Sequence, residues 1–116
     1  MSQPLPKAIL QALDTHYESN RARWSRGAWA KDAKGRKLGE NSIYTEAAYA
    51  HCLEAGVRIF ARKLVIGTHA AERAAAQTVA ALKKQIGDRF NSIPNFNDTT
   101  SYKRVRAVIK ETIDAL

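Results

Sequence analysis

The chain has 116 residues, 45% of them apolar and 8% aromatic, with 19 Lys and Arg against 11 Asp and Glu for a formal net charge of +8. That length and apolar share suit one domain over residues 1–116, with a core burying roughly two-thirds of the unfolded surface, and they argue against intrinsic disorder. No apolar run approaches the ~20 residues of a membrane span, and polar breaks between Met1 and Leu13 interrupt the stretch a signal peptide needs, so a cytoplasmic protein without membrane association is expected.

Helical periodicity dominates from the start. Leu5, Ile9, Leu13 and Tyr17, with Leu10 beside them, recur at spacings of three and four, and Ser2, Pro4 and Pro6 supply a start signal, which predicts a first helix over about 5–20. A long connection follows, broken by Gly27, Gly35 and Gly39 and carrying Trp24 and Trp29. A second helix is expected from Ser42 or Thr45, with Ala48, Cys52, Leu53, Val57, Phe60 and Leu64 on its apolar face and Gly67 at its end. Thr68 reads as the cap of an Ala-rich third helix whose stripe is Ala71, Ala75, Thr78, Val79, Leu82 and Ile86, closed by Gly87. The turn formers of Asn91–Asp98, with Pro94 pushing Ile93 away from helical angles, predict an ordered loop. Asp98, Thr99 or Thr100 then caps a fourth helix with Tyr102, Val105, Val108, Ile109 and Ile113 inward. No alternating run is long enough to argue for a sheet; Leu64-Val65-Ile66 is β-prone but too short. The expected fold is all-α: a compact bundle of about four helices, with a long basic connection between helices 1 and 2. Its expected core is Ile9, Leu13, Leu53, Val57, Phe60, Val79, Leu82, Ile86, Val105, Ile109 and Ile113.

Charge placement carries the functional signal. Between Asn20 and Gly39, seven basic residues (Arg21, Arg23, Arg26, Lys31, Lys34, Arg36 and Lys37) face only Asp32, so this stretch holds +6 of the net +8. Such local self-repulsion points to an anionic partner, although a solvated face also accounts for a modest excess. Guanidinium forks suit phosphate oxygens and indole faces suit stacking, so Arg21, Arg23, Trp24, Arg26, Trp29 and Lys31 describe a phosphate-plus-base site. The competing interpretation makes both tryptophans core anchors. Asn97 and Asp98 have two roles open to them: capping the last helix while Phe96 plugs the bundle end, or contacting the ligand.

Catalytic and metal chemistry find little footing. His16, His51 and His69 are widely spaced, and one cysteine is poor supply for structural zinc, so neither metal nor cofactor is expected. Cys52 cannot form an internal disulfide and reads as a small core residue. His51 and Cys52, adjacent on a helix, would point about 100° apart and could not pair as base and nucleophile. Glu46, Glu54 and Glu72 are dispersed, and there is no Gly-rich phosphate loop.

Trp24-x-x-Gly27, Gly35, the run Cys52-Leu53-Glu54-Ala55-Gly56, and Phe96-Asn97-Asp98 followed by Thr100 and Val105 resemble a group of short bacterial and phage proteins known as a domain of unknown function. The likeness spans about Leu5 to Leu116 and implies a helical fold without assigned chemistry. A basic, aromatic-lined site on a small helical scaffold is also similar, by design alone, to phage proteins that sequester the nucleotide signals of bacterial defence. The expectation is therefore a non-enzymatic protein that binds a phosphorylated nucleotide-type small molecule, as a homodimer or higher homo-oligomer packed through the third helix. Two alternatives stand beside it. In one, a nucleic-acid-binding module uses Lys103, Arg104, Arg106 and Lys110 as a second basic face; in the other, a regulator acts by binding protein.

Overall fold

In a computed structural model, which describes residues 4–116, the chain forms five α-helices and a small three-stranded sheet. Helix α1 spans Leu5–Ser19, α2 Leu53–Leu64, α3 Thr68–Ile86, α4 Ile93–Thr99 and α5 Tyr102–Ala115. The strands are β1 (Ala30–Lys31), β2 (Lys37–Leu38) and β3 (Ala50–His51), with single 3-10 turns at Arg21–Arg23 and Glu40–Ser42. No helix among the described residues is long and apolar enough to cross a membrane.

The expected bundle is present with several corrections. First, the second helix begins at Leu53 rather than near Ser42 or Thr45, because the residues before it are spent on the 3-10 turn and β3; Ala48 and Cys52 precede the helix. Second, a sheet exists. β1 pairs antiparallel with β2 (Ala30 opposite Leu38) and with β3 (Ala30 opposite His51), giving the order β2-β1-β3. Two-residue strands leave no readable alternation, so the pattern could not announce them. Third, Asn91–Asp98 is no loop: Ser92 caps α4 by accepting from the Asn95 amide at 3.1 Å, and Pro94 sits in the first turn, where its missing N–H costs nothing. Fourth, α5 is capped by Ser101, which accepts from the Arg104 amide at 3.1 Å, and not by Asp98, Thr99 or Thr100. Gly67, at φ +99°, occupies the cap position expected of Thr68. Ser2, expected as part of the first start signal, lies outside the described residues.

The main core is built from one face of each helix. Ile9, Leu10, Leu13 and Tyr17 of α1 meet Leu53, Val57 and Ala61 of α2, Ala71, Ala74, Ala75, Leu82 and Ile86 of α3, and Val105, Val108 and Ile109 of α5. Of the expected core, Phe60, Val79 and Ile113 are only partly buried, packed at its margin. Gly56 explains its cost inside α2: a Cβ there would lie 2.6 Å from Leu13 Cδ1, so α1 and α2 approach where only glycine fits. A second, smaller cluster of Ala30, Ile43, Cys52 and Ala55, with Trp29, Leu38, Ala48 and Ile59 against it, fastens the sheet to the other side of α2.

Candidate anion-binding surface

The first connection does not hang from the bundle; it is clamped to it by α4. Asn97 is fully buried and uses both ends of its amide. Its Oδ1 accepts from Trp24 Nε1 at 2.7 Å and from the Leu53 amide at 3.0 Å, while its Nδ2 donates to the Ser25 carbonyl at 2.9 Å and to Asp98 Oδ1 at 3.0 Å. Cys52 precedes α2 without a side-chain cap, so Asn97, 44 residues away in sequence, satisfies the first helical N–H in its place. Asp98 completes the clamp: its Oδ1 accepts from the Gly27 amide at 2.9 Å and its carbonyl accepts from Arg26 Nε at 2.9 Å. Gly27 adopts φ +81°, a conformation that favours glycine.

Trp24, Arg26, Asn97 and Asp98 are thereby brought together, but their polar atoms face one another. The Trp24 ring packs against the main core with Tyr102 at 5.9 Å, and Trp29 packs in the sheet cluster beneath the Arg58 guanidinium, 5.1 Å from its ring. Lys31 lies in β1, opposite Lys37 and Ala50, and its carbonyl accepts from the Tyr49 amide.

Arg21 and Arg23 stand differently. The 3-10 turn that holds them has three residues per turn, so their side chains diverge by about 120°. Arg21 lies over the Tyr102 ring at 5.2 Å, and Arg23 lies over the Tyr49 ring at 4.0 Å. Asn20 fastens the turn to the Tyr49 side, donating from Nδ2 to the Tyr49 hydroxyl at 3.0 Å and accepting from the Ala22 amide at 2.9 Å. Each stack opens onto a shallow depression. One, of about 380 Å³, is bordered by Arg23, Lys34, Arg36 and Tyr49, with Asp32 and Glu46 also on its rim; the other, of about 320 Å³, by Tyr102, Lys103, Arg106 and Lys110. Asp32 shapes the first by accepting from the Lys34 and Arg36 amides and from Arg36 Nε, which fixes the β1–β2 turn; these bonds, the Arg36 amide foremost, hold its carboxyl below the usual range. Arg106 is neutralised by Asp14 at 2.9 Å and Glu18 at 3.6 Å. No ion pair engages Arg21, Arg23, Lys34, Lys103 or Lys110 among the described residues.

The result is a strip of cations running from the β1–β2 turn across the 3-10 turn to α5, interleaved with two tyrosines. Sequence reasoning placed the aromatic faces on Trp24 and Trp29 and missed Tyr49 and Tyr102, whose partners lie 26 and 81 residues away in the chain.

Burial pushes the Cys52 thiol up to about 11, so it stays protonated at neutral pH. His51, expected on the second helix, lies in β3, where its carbonyl accepts from the Tyr17 hydroxyl at 2.9 Å and from the Ser25 amide at 3.0 Å. No three His, Cys, Asp or Glu side chains gather as metal ligands among the described residues. A groove of about 460 Å³ between α2 and α3 has Tyr44, Arg58, Arg62 and Glu72 on its rim; there Arg58 is bridged to Glu40 and Glu54, and Arg62 lies over Tyr44 at 3.8 Å.

The profile of a family of unknown function, DUF6197, matches residues 1–115. The chain is a member of DUF6197. No curated protein and no solved structure matches it. The match runs through the elements described above, from α1 through the clamped connection to α5.

Proposed function

We propose that this protein acts without catalysis, by holding a single-stranded nucleic acid along the strip that joins Lys34, Arg23, Arg21, Lys103 and Lys110. The observation that carries this reading is the pair of arginine–tyrosine stacks on either side of the 3-10 turn. A guanidinium held over a tyrosine ring offers its outer face to a base and its remaining N–H groups to a phosphate, Arg23 already donating from Nη1 to the Tyr49 carbonyl at 3.4 Å, so one side chain serves both parts of a nucleotide unit. Two such units beside unpaired lysines suit a strand with repeating phosphates and bases.

A single enclosed nucleotide, as a sequestering phage protein would hold, draws less support. Both tryptophan rings are engaged in packing, and the depressions along the strip are open troughs that would cover little of such a ligand. The test is fluorescence anisotropy with a labelled pyrimidine oligonucleotide against the wild type and the Arg21→Ala/Arg23→Ala variant. Losing two stacks worth about 1–3 kcal/mol each weakens binding by at least about thirtyfold at unchanged helicity. Equal affinity of the two proteins overturns the proposal.

A further inference from the structure

Beside the strip lies a cluster it does not use. His16 of α1 and His51 of β3 face one another with ring centroids 6.1 Å apart, and the Nε2 atoms of both are buried without a hydrogen-bond partner. The His51 side chain is deeply buried, the residue being 7% exposed, and its Nε2 is a buried nitrogen in need of a partner. A buried polar atom left unpaired costs about 1–3 kcal/mol, and two of them side by side call for a shared occupant. The surroundings select its charge. Phe60 closes one side, with its ring 5.3 Å from His16, and Lys63 Nζ lies 4.9 Å over that ring. Besides the histidines themselves, the charged groups acting on both rings are Arg23 from the 3-10 turn and Lys63 from α2, so a cation is repelled and an anion is drawn in.

We infer that His16, His51, Arg23 and Lys63 form a site for a tetrahedral oxyanion, a phosphate group or its equivalent, which both imidazoles grip through Nε2–H once protonated. Lys63 is exposed and Arg23 half-buried, so the two cations that act on both rings are long side chains in reach of solvent. Without the anion both histidines are held neutral, chiefly by burial and then by neighbouring cations, His51 down to about 4. Occupation must therefore take up protons, and affinity rises as pH falls, by up to about tenfold per unit for each proton bound. The phosphate has two possible sources, a free ion or the backbone of the strand proposed above; Arg23 is the one residue the two sites share.

The experiment is a titration of histidine-labelled full-length protein with sulfate, whose charge is constant over the range, at about pH 7.5 and about pH 5.5, followed by the imidazole NMR resonances of His16 and His51. Saturable shifts of both rings, with affinity at least about tenfold higher at the lower pH, are expected. Lys63→Gln, on the surface and safe for the fold, should weaken sulfate about tenfold, the loss of one charge-assisted contact. Unmoved histidine resonances, or an affinity that ignores pH, overturn the site. Phosphate and a short oligonucleotide are then added in turn. A strand that moves the same resonances and is displaced by sulfate identifies the backbone as the source, and phosphate alone moving them identifies the free ion. A strand that binds without moving them leaves the histidine site standing on the sulfate result, whereas a strand that fails to bind refutes the strip alone.

Discussion

Replacing Asn97 with alanine removes a side chain that answers four partners, and the expected cost follows from what is left behind. The Leu53 amide and the Ser25 carbonyl remain buried without their partner, and Trp24 Nε1 loses its acceptor in a half-buried place that water reaches. At about 1–3 kcal/mol for each fully buried orphan and less for the indole, Asn97→Ala should lose about 3–5 kcal/mol, a large part of the 5–15 kcal/mol that holds a domain together. Urea unfolding followed by tryptophan fluorescence reads this directly, because Trp24 sits at the lesion. Asn97→Asp sharpens the test. It keeps an acceptor for Trp24 and Leu53 but sets a carboxylate oxygen against the Ser25 carbonyl and Asp98 Oδ1, so its deficit should shrink as pH falls and the new carboxyl regains a proton to donate. A loss below about 1 kcal/mol for Asn97→Ala would refute the clamp.

Three other outcomes are expected. Gly56→Ala should destabilise by about 1–3 kcal/mol, because the new methyl falls 2.6 Å from Leu13 Cδ1; a neutral result in thermal melts would mean that α1 and α2 part without cost. Trp24→Phe should cost about 1 kcal/mol through the lost indole hydrogen bond and leave oligonucleotide affinity unchanged, whereas a tenfold loss of affinity would make that ring a stacking platform. His51 is neutral in the fold, with its pKa lowered to about 4 by burial first, and an unfolded histidine titrates near 6.5. The unfolded chain thus binds a proton that the folded one refuses, so this residue's contribution is intact above about pH 6.5 and is lost on acidification toward pH 4, about 3 kcal/mol in all. An NMR titration of the anion-free protein showing a His51 midpoint near 6.5 would contradict this.

The sequence made the helices legible where one face repeats for several turns. α1 and α3 and most of the core could be read from spacing alone, since Ile9, Leu13 and Tyr17 or Ala71, Ala75 and Leu82 recur at helical intervals. Periodicity fails for elements shorter than its own period, which is why β1, β2 and β3 went unseen. α4 was hidden by Pro94, a residue that breaks a helix interior but starts one as readily. The basic connection was visible as charge and its Trp24, Asn97 and Asp98 as unusual residues, but what joins them was not. Asn97 meets partners 44, 72 and 73 positions away, and no local pattern encodes such contacts. Arg21 and Arg23 stand out in the sequence as cations in need of an anion; the tyrosines over which they lie come from the residue preceding β3 and the first residue of α5, which only the fold brings near.

The strip stands or falls most directly on the salt dependence of strand binding. Each phosphate neutralised on a single strand contributes about −0.7 to the slope of log K against log salt, so contacts from Arg21, Arg23, Lys34, Lys103 and Lys110 predict a slope of about −3.5. Removing Arg21 and Arg23 together should flatten it by about 1.4 units. A wild-type slope near −1, or one that the double variant leaves unchanged, would contradict the strip as the binding surface.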